Sequence, residues 1–95
     1  MAPSDSWHLT LYVSGTSPLT ARVRSNLHEI LEKHLDVGFE IETVDLEEEP
    51  GRAEKDMILA LPTVIRRHPL PQRRILGDLG DEEKVLTGLE IPREP

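Results

Sequence analysis

The side chains able to do chemistry here are four histidines, a run of carboxylates and a hydroxyl-rich turn, and the chain contains no cysteine. The histidines are His8, His28, His34 and His68. His28 and His34 are six positions apart and so face different sides of one helix, and neither H-x-x-x-H nor H-E-x-x-H spacing occurs. Surface histidine is expected, and a metal site is not. The run Glu47-Glu48-Glu49 lacks the alternating ligands and the glycine of a calcium loop and reads as a solvated loop. Asp78 and Asp81 have the neighbours of a turn and a helix cap rather than of an acid–base pair. Gly15 and Gly77 each read as turn glycines, and no glycine-rich phosphate loop is present. Without thiols, disulfides, thiolate metal sites and thiol catalysis are excluded. No catalytic residue, metal or cofactor is expected.

Charge points instead to a partner. The 95 residues carry 11 basic and 18 acidic side chains, a net charge of −7. Such a chain repels nucleic acid and anionic membrane. The charge is uneven: Asp45 to Glu49 is almost wholly acidic, while Arg66, Arg67, Arg73 and Arg74 are clustered. These arginines fit either an edge protected against aggregation or a docking surface for a protein of opposite charge. No apolar run approaches the roughly 18–20 residues of a membrane-spanning helix. The segment Met1-Ala2-Pro3-Ser4-Asp5-Ser6 has no basic and apolar leader, so a cytoplasmic protein is expected.

The elements that position these groups follow from periodicity. Trp7 to Val13 alternates, with Leu9, Leu11 and Val13 on one face and His8, Thr10 and Tyr12 on the other, which predicts a strand. Ser14-Gly15-Thr16-Ser17 breaks it, Ser17 is a helix cap, and Pro18 suits the first helical position. Leu19, Val23, Leu27, Ile30, Leu31 and Leu35 then form one helical stripe. Phe39 to Leu46 reads as a second strand, with apolar residues on both parities and hence both faces covered. Strand, helix and strand in this span make a βαβ unit with two parallel strands. A short helix is expected from Glu49 and Pro50 to about Leu59, a strand over Thr63–Arg67, and a turn at His68-Pro69-Leu70-Pro71. A hairpinned strand is expected over Gln72–Leu76, followed by a last helix capped by Asp81 and ended by Pro92. One domain spans residues 1–95, with loose ends at 1–6 and 90–95.

The order β-α-β-α-β-β-α is that of a thioredoxin-like fold, in which a cis-proline opens the third strand, as Leu61-Pro62-Thr63 would here. The turn Ser14-Gly15-Thr16-Ser17-Pro18 then stands where a thioredoxin carries its cysteines, and hydroxyls cannot perform disulfide exchange. An anion at this helix start and ordinary capping both fit.

Several stretches, in their order and spacing, carry a further likeness. They are Leu11-Tyr12-Val13-Ser14-Gly15, Ile30-Leu31-Glu32, Ile58-Leu59-Ala60-Leu61-Pro62-Thr63, Arg73-Arg74-Ile75-Leu76-Gly77-Asp78-Leu79 and Glu83-Lys84-Val85-Leu86. From about Leu9 to Leu89 the chain resembles the KaiB family of circadian-clock proteins. That resemblance implies a non-enzymatic regulator that binds the ATPase ring KaiC and sequesters KaiA or engages histidine-kinase output proteins. It also implies two folds: a tetrameric β-α-β-β-α-α-β form and a monomeric thioredoxin-like form that binds KaiC. The half after about Ala53 rearranges between them, with proline isomerisation; Pro62, Pro69 and Pro71 are the candidates. Leu70 interrupts the family's proline run, and the sequence ends at Pro95 without a longer acidic tail, so a monomer in the thioredoxin-like state is expected. On this reading Lys55, Arg66, Arg67, Arg73 and Arg74 are candidate contacts to the ring, and Arg22 and Arg24 to a second partner. A free-standing sensor module of the SasA type, a diverged stress-signalling relative, and a thiol-dependent enzyme needing a bound thiol cofactor are the other classes.

Overall fold

A computed structural model describes residues 6–77 and 79–92. Strand β1 (Trp7–Val13) is followed by α1 (Pro18–His34), β2 (Phe39–Asp45), α2 (Arg52–Asp56), β3 (Thr63–His68), β4 (Arg73–Leu76) and α3 (Glu82–Leu89). The expected turn residue Asp78 and the end segments 1–5 and 93–95 lie outside the described residues.

The four strands form one sheet in the order β2-β1-β3-β4. β1 and β2 run parallel, with Trp7 opposite Phe39 and Val13 opposite Asp45. β3 runs antiparallel to β1 and to β4. The parallel pair is the βαβ unit expected from the sequence, and β3–β4 is the expected hairpin. The element order is the thioredoxin-like one.

Alternation along β1 divides the sheet into two buried faces. Leu9, Leu11 and Val13 join Val64 of β3, Val23, Leu27, Ile30 and Leu31 of α1, and Val85, Leu86 and Leu89 of α3 in the main core. Tyr12 points the other way and is buried with Val44 and Ile65, where Leu46 and Ile58 pack against it. Both faces of the central strands are covered, while on β2 the second face is covered at Val44 and open at Glu40 and Glu42. Burying each of these aliphatic side chains is worth about 1.5–3 kcal/mol.

Local signals set the helix ends. Ser17 Oγ accepts the Thr20 N–H at 3.3 Å, capping α1 with Pro18 in its first turn. Asp81 Oδ1 accepts the Lys84 N–H at 3.3 Å and caps α3. Gly15 has φ of +75°, a conformation that costs a residue with a Cβ, and a Cβ there would also stand 3.3 Å from Glu47 Oε2. The peptide bonds preceding Pro62, Pro69 and Pro71 are all cis.

Two expectations change. Leu19, placed in the buried stripe of α1, is 48% exposed, whereas Thr20, Val23, Leu27, Ile30 and Leu31 are buried, so the covered face of α1 starts at Thr20. The second helix is one turn long rather than reaching Leu59. Met57 turns left-handed at φ 54° and its N–H closes the turn on Ala53 and Glu54 carbonyls. Beyond α3, Ile91 joins the core and donates its N–H to the Leu86 carbonyl at 2.9 Å.

Candidate functional site

The clustered arginines have four different environments. β3 alternates beneath two covered faces, so neither Arg66 nor Arg67 reaches solvent freely. Arg66 shares a face with Val64 and is only 3% exposed, which corrects its expected place on a docking surface. Its Nη1 donates to the Leu89 carbonyl at 2.8 Å and its Nη2 to the Pro71 carbonyl at 2.6 Å. The guanidinium also lies 5.2 Å from the centre of the Trp7 ring. Burial lowers its pKa. Arg66 therefore ties the end of α3 to the β3–β4 turn.

Arg67 points to the opposite face and joins a polar network that sequence reasoning missed. Its Nη1 and Nη2 donate to the two Asp56 carboxylate oxygens at 3.0 and 2.6 Å. Its Nε donates to Thr10 Oγ1 at 3.0 Å, and Nη2 also approaches Tyr12 Oη at 3.3 Å. The Tyr12 hydroxyl, fully buried, donates to Asp56 Oδ2. The Arg67 hydrogen bonds hold the Asp56 carboxyl well below the usual carboxylate range, with Tyr12 acting in the same direction against the cost of burial. Burial, then Asp56, pushes the Tyr12 hydroxyl up. Asp56 is the last residue of α2, and this network fastens that turn to the sheet.

The remaining cations are exposed. Arg74 donates from Nη2 to the Asp56 carbonyl at 2.8 Å, so its charge stands beside α2. Arg73, also on β4, pairs with Glu90 at 3.0 Å. Lys55 is exposed on α2, and Arg22 and Arg24 are exposed on α1. Arg74 is thus held against the end of α2, on which Lys55 is exposed, Arg73 stands at the α3 side, and Arg22 and Arg24 are on another element. Between Lys55 and β3 the chain presents Met57 and Leu59, 73% and 93% exposed. Large apolar residues so placed mark a surface suited to a protein partner. Their exposure was hidden in the sequence because the expected helix would have carried them.

The turn at the thioredoxin active-site position is built by internal hydrogen bonds. Ser14 Oγ donates to Glu47 Oε2 at 3.0 Å, and the Gly15 N–H donates to Asp45 Oδ1 at 2.8 Å. Ser17 is the α1 cap, so ordinary capping accounts for it. On the far side of α1, His34 Nε2 donates to Glu82 Oε2 at 2.6 Å, with Lys33 Nζ 3.3 Å from the same oxygen. First the His34 bond and then Lys33 lower the Glu82 pKa. Among the described residues no three His, Cys, Asp or Glu side chains gather as a metal site, and no helix is long and apolar enough to cross a membrane.

Comparison with known proteins agrees with this architecture. Residues 10–91 match the family model described as the KaiB domain. The chain is 43% identical over 91 residues to the circadian clock oscillator protein KaiB of Prochlorococcus marinus, covering 96% of this chain and 80% of that protein. Identity to the Synechococcus elongatus protein of the same name is also 43%, covering 96% of this chain and 89% of that one. Among solved structures, the N-terminal domain of Synechococcus elongatus SasA matches with a TM-score of 0.74 at 20% identity, covering 90% of this chain and 84% of that one. Mitochondrial thioredoxin 3 from Saccharomyces cerevisiae matches at 0.66 and 14% identity, covering 88% and 76%. The fold is thioredoxin-like, and the chain belongs to the KaiB family.

Proposed function

We propose that this chain is a non-enzymatic, cytoplasmic clock regulator that docks as a monomer on a KaiC-type ATPase ring. The observation that carries this reading is the exposed strip Lys55–Met57–Leu59 beside Arg74, on a thioredoxin-like chain of the KaiB family with no thiol. Cations with adjoining exposed apolar side chains give a surface both charge steering and area to bury. Arg73 stands on the α3 side of β4 as an outlying candidate, and Arg67 acts from beneath by holding Asp56 and so the end of α2 in place. Arg22 and Arg24 serve a second partner, KaiA or a histidine kinase.

The proposal includes an exchange with the tetrameric β-α-β-β-α-α-β form, with Pro62, Pro69 and Pro71 as the isomerising positions. The one-turn α2 and its left-handed exit at Met57 are the elements most easily rearranged. A SasA-type sensor module is the second reading, favoured by the likeness to that domain. Two sets of backbone NMR signals in slow exchange would support the switching regulator, and a single set at all temperatures and concentrations would favour the sensor module. Docking is tested by titrating the labelled chain with a KaiC-type ring in ATP. Saturable binding lost on charge reversal at Arg73 and Arg74 is expected, and unchanged affinity would exclude this face.

A further inference from the structure

A second apolar opening lies where β1 ends and α1 begins. It is a groove of about 110 Å³ lined by Val13, Leu19, Val23, Leu61 and Pro62, with Ser14, Ser17 and Thr20 at its edge. Leu19 and Leu61 are 48% and 40% exposed there. The nearby hydroxyls are already engaged: Ser17 accepts from Thr20, and Ser14 donates to Glu47. The groove therefore selects by apolar contact. An apolar cavity of about 150 Å³ accommodates benzene, so the smaller groove suits one branched aliphatic side chain.

The rim determines what flanks that side chain. Glu47 is held beside Ser14 at 3.0 Å, and Asp45 beside Gly15 at 2.8 Å. Glu48 and Glu49 continue the acidic run into solvent. Arg52 offsets part of it by pairing with Glu49 and Glu42. Arg22 follows Leu19 by one turn, so the acidic edge of the groove is the one at Ser14 and Gly15.

We infer that this groove receives an aliphatic side chain from a protein partner, presented on an extended segment with lysine or arginine on either side. The aliphatic residue fills the space between Leu19 and Leu61, and the flanking cations face Glu47 and Glu48. This contact extends the proposed function to a second docking surface of defined chemistry.

The test is an NMR titration of the ¹⁵N-labelled full chain with the peptide Lys-Lys-Leu-Lys-Lys, capped at both ends. Shifts at Val13, Leu19, Val23 and Leu61 are expected, together with shifts at Glu47 and Glu48. Alanine in place of the central leucine should weaken binding about tenfold, the value of roughly 1.4 kcal/mol from losing an aliphatic anchor. In the chain, Leu61→Lys should abolish the groove shifts while leaving the amide spectrum of β1 and α1 folded, because Leu61 is partly exposed. Glu47→Gln with Glu48→Gln should weaken binding and reduce its salt dependence. Shifts confined to residues 45–49 with no preference for leucine, or none at millimolar peptide, would overturn the inference. Leu61→Lys should still bind the ATPase ring, so failure here is distinguishable from failure of the Lys55 face.

Discussion

Asp56→Ala is the sharpest perturbation of the fold, because one carboxylate is the acceptor for the Tyr12 hydroxyl and for two Arg67 N–H groups. Its loss leaves the Tyr12 hydroxyl, fully buried, without its acceptor. An unsatisfied buried hydroxyl costs about 1–3 kcal/mol. The same change removes both Arg67 bonds, at 3.0 and 2.6 Å. Arg67 is 30% exposed and keeps Thr10, so it rehydrates in part, and about 1 kcal/mol is a suitable figure for that loss. The sum is about 3 kcal/mol, or roughly 12–24 °C in melting temperature for a chain of this size. Tyr12→Phe should cost only about 1 kcal/mol, since Asp56 retains Arg67. Urea unfolding followed by circular dichroism measures each. The double variant Asp56→Ala/Arg67→Ala should be less destabilised than the sum of its parts by about 1 kcal/mol or more. Strict additivity, or a cost for Asp56→Ala under about 1 kcal/mol, would show that the network does not anchor α2.

Three other outcomes follow from the same structure. Leu27→Ala, at a fully buried position under β1, should cost about 2–5 kcal/mol by urea unfolding. Ser17→Ala should cost about 1 kcal/mol through the lost α1 cap, with Ser17→Asp restoring most of it. Glu82 has a folded-state pKa depressed by His34 and Lys33, so its contribution is present above the unfolded carboxylate pKa and is lost as pH falls through the folded value. Glu82→Gln should therefore flatten the acid limb of the stability–pH curve, and an unchanged limb would remove Glu82 from it.

The sheet was legible because its information is local. Leu9, Leu11 and Val13 against Thr10 and Tyr12 define β1, and Ser17-Pro18 and Asp81 mark helix starts with their own side chains. The order of elements then left the thioredoxin-like arrangement, and the missing thiols set the direction of function. The site was less legible because it depends on contacts between distant residues. Asp56 meets Tyr12 across 44 positions, and no spacing rule connects them. Arg66 and Arg67 look equivalent as neighbouring charges. Their fates diverge because α3 covers one face of β3 while the end of α2 covers the other. Leu19 fits the α1 stripe by period, but in the first turn of the helix it is Thr20 that is buried.

The central claim is docking through the Lys55 face. The direct measurement is fluorescence anisotropy of the labelled chain titrated with a KaiC-type ATPase ring in ATP, beside Lys55→Glu/Arg74→Glu. Lys55 is exposed and Arg74 contacts only a backbone carbonyl of α2 among its described bonds, so the variant should fold, as its melting curve will register. The account predicts saturable binding by the unaltered chain and at least about tenfold weaker binding by the variant, equivalent to roughly 1.4 kcal/mol. Absence of binding by the unaltered chain, or equal affinity of a folded variant, would contradict it.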